Sequence, residues 1–279
     1  MATTVSCTAQ AHVALQMAHG FLTSRPVVHN LILSLLHERA ATGEPGRYWI
    51  AHDGGAVVGV ALHSPERFPA TITPMPVEAV EAVVSTIATA GICLPGVNGE
   101  AAVAARFAGQ WAERCKAAAV PVGGQRIYEL ASLVEPSDVP GRLRRADPRD
   151  RDLVLEWLGG FDRDTGGRTS GDAATVSRRI DAGRFWLWEV DGPTSMAAHA
   201  EPAAGVVRIQ AVYTPAELRR RGYATACVAH LSSRLSDAGL RCILYADLGD
   251  PISNSVYRRI GYRAVAECLQ YRFESGQSN

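Results

Sequence analysis

Apolar residues recur at helical spacing over about Ala9 to Leu22 and again over Val27 to Ala41. The second segment is entered through Ser24-Arg25-Pro26, where proline's fixed φ and missing N–H suit a first turn. The period then changes. "RYWIAHDGGAVVGVALHSP" reads as strand, turn, strand, with Asp53-Gly54-Gly55 supplying the residues that a tight hairpin needs. Helical spacing returns near Val77 to Ala90 and Glu100 to Ala118, and "RIYELASLV" predicts a closing strand. The stretch 139–150, "VPGRLRRADPRD", is dense in Pro, Arg and Asp between better-patterned regions. It sets the expected boundary between two domains, 1–138 and 139–279.

The second half repeats the order of the first. Helices are expected near Arg149 to Leu158 and Ala173 to Asp181, followed by "RFWLWEVDGPTSMAAHAEP", again strand, turn, strand. The two hairpins correspond piece by piece. Arg47-Tyr48-Trp49-Ile50 matches Arg184-Phe185-Trp186-Leu187, Asp53-Gly54 matches Asp191-Gly192, and Ala61-Leu62-His63 matches Ala197-Ala198-His199. An aromatic pair, a turn and a trailing histidine in the same order point to internal duplication. Beyond the hairpin come strand "GVVRIQAVYT", a helix from about Tyr223 to Asp237, strand "RCILYAD", a short helix around Ser253 to Ile260, and strand "YRAVAECLQYRFE". The alternation predicts an α/β (α+β) fold.

Composition narrows the function classes. The chain has 279 residues, 47% of them hydrophobic and 20% charged, enough for packed cores. Lys+Arg and Asp+Glu balance at 28 each, which argues against nucleic acid or a membrane surface as the main partner. The six cysteines have no CxxC or His-Cys spacing of a zinc site, so reduced thiols and no metal are expected. No basic leader precedes the N-terminal run and no apolar stretch reaches the length of a membrane span, so a cytoplasmic protein is expected. Lys116 is the only lysine among abundant Arg, Ala and Gly, a bias of GC-rich bacterial genomes.

The candidate chemistry lies in "AVYTPAELRRRGYATACVAHL", 211–231, where a strand enters a helix through Arg219-Arg220-Arg221-Gly222-Tyr223-Ala224. A helix's first turn leaves N–H groups without partners and carries partial positive charge, so an anion is stabilised there. Gly222 lets a diphosphate approach the backbone, and the arginines add charge-assisted bonds. The first half has no counterpart to this stretch.

These residues resemble the Q/R-x-x-G-x-G/A signature of the GNAT superfamily of acyl-CoA-dependent N-acetyltransferases. "NSVYRRIGYR", some thirty residues on, is similar to that superfamily's second signature. More narrowly, the chain resembles a bacterial group in which a degenerate N-terminal GNAT-like half precedes a working one, with "LPGVNGE" fitting the first half. The resemblance implies tandem GNAT-like domains, each a mixed, mostly antiparallel sheet flanked by helices. It also implies acetyl-CoA as cosubstrate, no metal, and transfer to a primary amine, small molecule or peptide, by direct attack.

What the resemblance implies for residues is specific. The strand Arg208 to Tyr213 would carry a bulge and splay from its neighbour, and its open edge would bond the pantetheine arm. The Val212 amide would stabilise the oxyanion and Thr214 would extend the ladder. Asn254 would hold the pantetheine or adenosine side, and Tyr257 would protonate the departing thiolate. Val212, Tyr213, Thr214, Arg219, Arg220, Arg221, Gly222, Tyr223, Ala224, Thr225, Asn254 and Tyr257 thus fall to the coenzyme, with Val212 and Tyr257 also in the chemistry. Asp250 stands where the related group usually has Asn, which keeps helix-capping geometry. Glu189, His199, Glu201 and Asp247 are base candidates with no motif to choose among them. The segment 159–175 is expected to be a loop rich in Gly and Asp on the acceptor side, with Asp162, Asp164 and Asp172 facing a cationic amine. A non-catalytic acyl-CoA sensor or scaffold is the alternative, and the oligomeric state is left open.

Overall fold

The structure, a computed structural model, describes residues 3–166 and 172–275. Its contacts divide the chain into two compact units. The first holds the chain up to Ile127, with Asp247–Gly249 and the part from Val265 onward; the second holds Tyr128–Ala246 and Asp250–Ala264. The expected boundary before Val139 differs from this division at both ends of the second half, because hydrogen-bonded ladders rather than composition decide which residues pack together.

In chain order the first half contains β1 (Thr4–Thr8), α1 (Ala11–Ser24), α2 (Asn30–Thr42), β2 (Arg47–Asp53), β3 (Ala56–His63) and β4 (Ala70–Ile72). It continues with α3 (Val77–Thr89), β5 (Gly96–Glu100), α4 (Ala101–Cys115) and β6 (Ala117–Leu130). The second half contains β7 (Arg142–Arg145), α5 (Arg151–Thr165), α6 (Ala173–Asp181), β8 (Phe185–Glu189), β9 (Pro193–His199) and β10 (Val206–Tyr213). It ends with α7 (Tyr223–Asp237), β11 (Arg241–Asp247), α8 (Pro251–Arg259) and β12 (Tyr262–Ser275). The order strand, two helices, three strands, helix, strand, helix, strand occurs twice.

In the first unit β1, β2, β3 and β4 pair antiparallel in that order, and β4 runs parallel to β5. The far end of β12 completes this sheet, with Cys268–Arg272 antiparallel to Glu100–Gly96. In the second unit β7, β8, β9 and β10 are antiparallel neighbours, and β10 runs parallel to β11. The expected mixed, mostly antiparallel sheet is therefore present in each unit.

Alternation along β8 explains why its sequence, Phe-Trp-Leu-Trp, is apolar throughout. Trp186 and Trp188 enter a core with α7 residues Cys227, Val228 and Leu231, while Phe185 and Leu187 enter another with Val154 and Trp157 of α5 and Val176 and Ile180 of α6. Successive side chains point to opposite faces, and helices cover both. The duplicated hairpins share one register. Tyr48 faces Leu62 as Phe185 faces Ala198, and Trp49 faces Ala61 as Trp186 faces Ala197. Arg47 pairs with His63, and the His199 amide donates to Arg184 at 2.9 Å.

Two sequence expectations are corrected. The helix expected to run to Ala118 ends at Cys115, with Lys116 left-handed at its cap and Ala117 already in β6. The loop expected from Gly159 begins later, because α5 continues to Thr165 and is capped by Gly166. Gly159 and Gly160 lie inside the helix, and at Gly160 glycine serves close packing: a Cβ there would sit 2.4 Å from the Tyr213 hydroxyl and 2.5 Å from its Cζ. Of the rest of that expected loop, residues 167–171 lie outside the described residues, and 172–175 form the cap and first turn of α6. Gly160→Ala therefore should overpack this contact and lower unfolding free energy by about 1–3 kcal/mol in urea titration, despite alanine's higher helix propensity.

Candidate functional site

The site is built where β10 parts from β11. The two strands pair in parallel over Val206–Ile209 and Arg241–Leu244. Past Ile209 no ladder joins Gln210–Tyr213 to Tyr245 and Ala246 among the described residues. On its other side β10 carries a bulge: Gln210 faces Ala198 and Tyr213 faces Met196, three steps on β10 against two on β9. Ala211, at φ 51°, is the bulged residue in the left-handed region. Val212 is partly buried within this bulge.

Side chains then fix the strand's exit. Fully buried Ser195 of β9 donates its hydroxyl to the Tyr213 carbonyl at 3.0 Å and meets the Thr214 hydroxyl at 2.9 Å. The Tyr213 ring lies 6.2 Å from Trp157 of α5. Sequence reasoning missed Ser195, Trp157 and Gly160, since each is recognisable only from what it touches.

At the start of α7, Gly222 is the cap residue at φ 82° and offers no side-chain cap. A Cβ there would approach Val139 Cγ2 at 2.8 Å, so glycine suits both the conformation and the contact. The first helical bond runs from the Ala226 amide to the Gly222 carbonyl at 3.0 Å. The amides of Tyr223, Ala224 and Thr225 therefore precede the ladder and have no acceptor within the helix. Tyr223 buries its side chain, Ala224 and Thr225 are half-buried, and Arg219, Arg220 and Arg221 are exposed. Arg220, at φ 65°, is left-handed like Gly222, with Arg221 between them outside that region.

The second signature folds as a buried polar and aromatic cluster. Asp250 caps α8, its Oδ1 accepting the amides of Ile252 at 3.0 Å and Ser253 at 3.1 Å, and its Oδ2 the Ser253 hydroxyl at 2.5 Å. Burial works against charge on Asp250, but the Ser253 hydroxyl and these amides outweigh it and hold the carboxyl below its ordinary range. The capping role expected of Asp250 is thus kept. Asn254 is buried, its Nδ2 donating to the Asp250 carbonyl at 2.6 Å and its Oδ1 accepting from the Tyr128 hydroxyl at 2.8 Å. Its amide is engaged within the protein rather than presented outward. Tyr257 lies among Tyr128 and Tyr262, with ring centroids 6.4 and 6.2 Å away. Burial, then the nearby Asp250 charge, raises the Tyr257 phenol above its ordinary value.

The base candidates are accounted for one by one. Glu189 accepts from Arg144 at 3.0 Å and Arg142 at 3.1 Å, which hold it below the ordinary carboxylate range. Glu201 is ion-paired with Arg184. Asp247 accepts the Gly249 amide at 2.6 Å. His199 and its repeat His63 each end a strand and place a ring nitrogen 2.9 Å from a backbone carbonyl, of Ala200 and Glu66 respectively. Burial lowers both imidazoles. His199 engages backbone through Nδ1 and His63 through Nε2, and the base is left unassigned. Of the acceptor-side carboxylates, Asp164 is ion-paired with Arg219, and Asp172 caps α6 by accepting the Thr175 amide at 2.8 Å.

The strand of the first unit that corresponds to β10 carries no bulge among the described residues. There β4 stays in register with β3, and beyond it the Thr73 amide donates to the Val60 carbonyl at 2.9 Å, with the Val60 amide returning a bond to the Thr73 hydroxyl at 2.9 Å. Pro74 and Pro76, which carry no N–H, lead into α3. The Met75 side chain covers Gly59 of β3.

Two predictions follow from these bonds. Tyr128→Phe should leave Asn254 Oδ1 without its buried donor and cost about 1–3 kcal/mol in denaturant unfolding. A neutral His199 in the folded state against an ordinary imidazole in the unfolded one means stability is present above about pH 6.5 and is lost as pH falls through the depressed folded value. Urea titrations at pH 7.5 and 5.5 should show that loss, and His199→Gln should reduce its size.

Residues 191–271 match the family model described as FR47-like protein. No curated protein matches the chain. Among solved structures, a GCN5-related N-acetyltransferase from Sphaerobacter thermophilus superposes with a TM-score of 0.65 at 16% identity, covering 97% of this chain and 95% of that one. A GNAT-family acetyltransferase from Colwellia psychrerythraea gives 0.62 at 8% identity, covering 97% and 99%. A tandem GNAT protein from the clavulanic acid biosynthesis pathway gives 0.58 at 9% identity, covering 99% and 100%. Similarity at these identities lies in the fold. With its repeated order of elements, its bulged strand and the FR47-like match in its second half, the chain has the tandem fold of the GNAT acetyltransferases.

Proposed function

We propose that the second unit is an N-acetyltransferase, binding acetyl-CoA and passing the acetyl group to a primary amine, of a small molecule or a peptide, by direct attack. One observation carries this reading: the strand edge opened at the Ala211 bulge is followed, after one turn, by a helix start whose amides at Tyr223, Ala224 and Thr225 have no acceptor within the helix. An open strand edge fits the amide-bearing pantetheine arm, and unpaired amides flanked by Arg220 and Arg221 fit its diphosphate. The chemistry such a ligand supplies is an activated thioester.

This chain's residues then have separate tasks. The Val212 amide, at the bulge, stabilises developing charge on the thioester oxygen. Asp250 and Asn254 hold α8 so that Tyr257 stays in its aromatic setting. Burial keeps the phenol protonated, so Tyr257 donates a hydrogen bond to sulfur as the thiolate forms. The amine loses its proton to a group not yet identified or to water. No described helix is long and apolar enough to cross a membrane.

A panel of amines in a thiol-release assay tests the reaction. Tyr257→Phe should reduce the rate about 10²-fold with little change in coenzyme affinity. A rate like the wild type's would remove Tyr257 from the chemistry. Because the phenol is raised, the wild-type rate should show no loss from tyrosine ionisation up to about pH 10. Calorimetry should find one CoA per chain, since the first unit has prolines and a closed strand in the equivalent place. Binding without thiol release across the panel would favour a non-catalytic acyl-CoA sensor.

A further inference from the structure

Three arginines precede Gly222, but they do not share one environment. Arg219 is held on three sides. Its Nε donates to the Thr214 carbonyl at 2.9 Å, its Nη2 is ion-paired with Asp164 Oδ2, and its Cζ lies 5.8 Å over the Tyr213 ring. Asp164 belongs to the last turn of α5, the helix whose Trp157 and Gly160 pack on that same Tyr213 ring. Thr214 also bonds Ser195 through its hydroxyl. Arg220 and Arg221, exposed like Arg219, form no salt bridge among the described residues.

We propose that Arg219 is a positioning residue: with Asp164 it clasps the exit of β10 to α5, holding the Tyr213–Thr214 backbone in place, while Arg220 and Arg221 alone of the three meet the coenzyme diphosphate. This rests on the acetyl-CoA reading above and assigns Arg219 a different task from the one its place in the signature implies. The reason is geometric. A guanidinium that bonds a carbonyl five residues back and a carboxylate of another helix closes a ring around the 214–219 turn. Its planar fork is committed in two directions at once, which suits a brace rather than a ligand that must release its partners to reach a phosphate. Asp164 is then part of the clasp and not a free carboxylate for the amine.

The test separates the coenzyme into parts. ADP carries a diphosphate without the pantetheine arm, whereas CoA also needs the Gln210–Thr214 edge. Calorimetry with both probes on the full-length protein and on Arg219→Gln, Asp164→Asn and Arg221→Gln gives a distinct pattern for each role. Under the clasp, Arg219→Gln and Asp164→Asn each weaken CoA about tenfold, as losing one charge-assisted bond would, and leave ADP affinity within about twofold. Arg221→Gln weakens both ligands about tenfold. A general loss of structure would lower CoA and ADP in parallel in the first two variants, and that result overturns the proposal. So does an Asp164→Asn variant that binds CoA as well as or better than wild type while Arg219→Gln loses ADP, because Arg219 is then a phosphate ligand that Asp164 restrains. Wild-type protein that binds neither probe overturns the acetyl-CoA reading itself and the clasp's role with it.

Discussion

The second unit is organised by one interruption in main-chain hydrogen bonding. Every buried amide and carbonyl needs a partner, and a parallel pair such as β10 and β11 would ordinarily supply it along the whole strand. The extra residue at Ala211 turns β10 out of register with β9, and the ladder to β11 stops at Ile209 and Leu244. An edge opened in this way persists only if its surroundings hold it. Ser195 anchors the strand from β9, Trp157 and Gly160 receive Tyr213 from α5, and α7 begins without a capping side chain directly after the turn. The open groups of strand and helix thus lie on either side of one turn, Ala216–Leu218.

The first unit shows what the same framework does without that interruption. Its hairpin has the register of the second, residue for residue, from Arg47 and His63 inward. At the place equivalent to the bulge, Thr73 closes onto Val60 through two bonds and the strand continues in register. Two prolines then remove donors just where the second unit exposes them. A difference between the units that bears on the site therefore lies at the exit of one strand and the start of one helix. Cores on either side of β8 and of its repeat β2 tolerate that difference because packing depends on side-chain alternation, which the two hairpins share.

What could be read in the sequence follows the range of the interactions involved. Helix α7, both hairpins and the capping of α8 by Asp250 depend on residues within a few positions of one another, and local pattern announces them. Strands β1, β5 and β7 are short and take their form from partners far along the chain, such as Ala51 for Val5 or Glu189 for Arg142. The return of β12 to Glu100–Gly96 is set by a ladder that composition does not encode. Gly159 and Gly160 looked like loop residues because glycine is most often read as freedom, whereas at Gly160 it makes room for a tyrosine ring. Three consecutive arginines looked equivalent for the same reason: sequence shows charge but not the carboxylate, of α5, that one of them meets.

Burial of the second signature carries the last step. Tyr257, Tyr128 and Tyr262 gather their rings beneath α8, and Tyr262 and Ser232 join their hydroxyls at 2.7 Å, as Tyr128 and Asn254 do at 2.8 Å. In such a setting a phenolate is costly and a neutral phenol is stable, an effect that the nearby Asp250 carboxylate reinforces. A group so held is a poor base but a constant hydrogen-bond donor. The same burial explains why Asn254 has an internal role here. An amide that fixes Tyr128 and the turn at Asp250 sets where α8 holds Tyr257, so that under the proposed reaction the fold itself sets the donor's geometry.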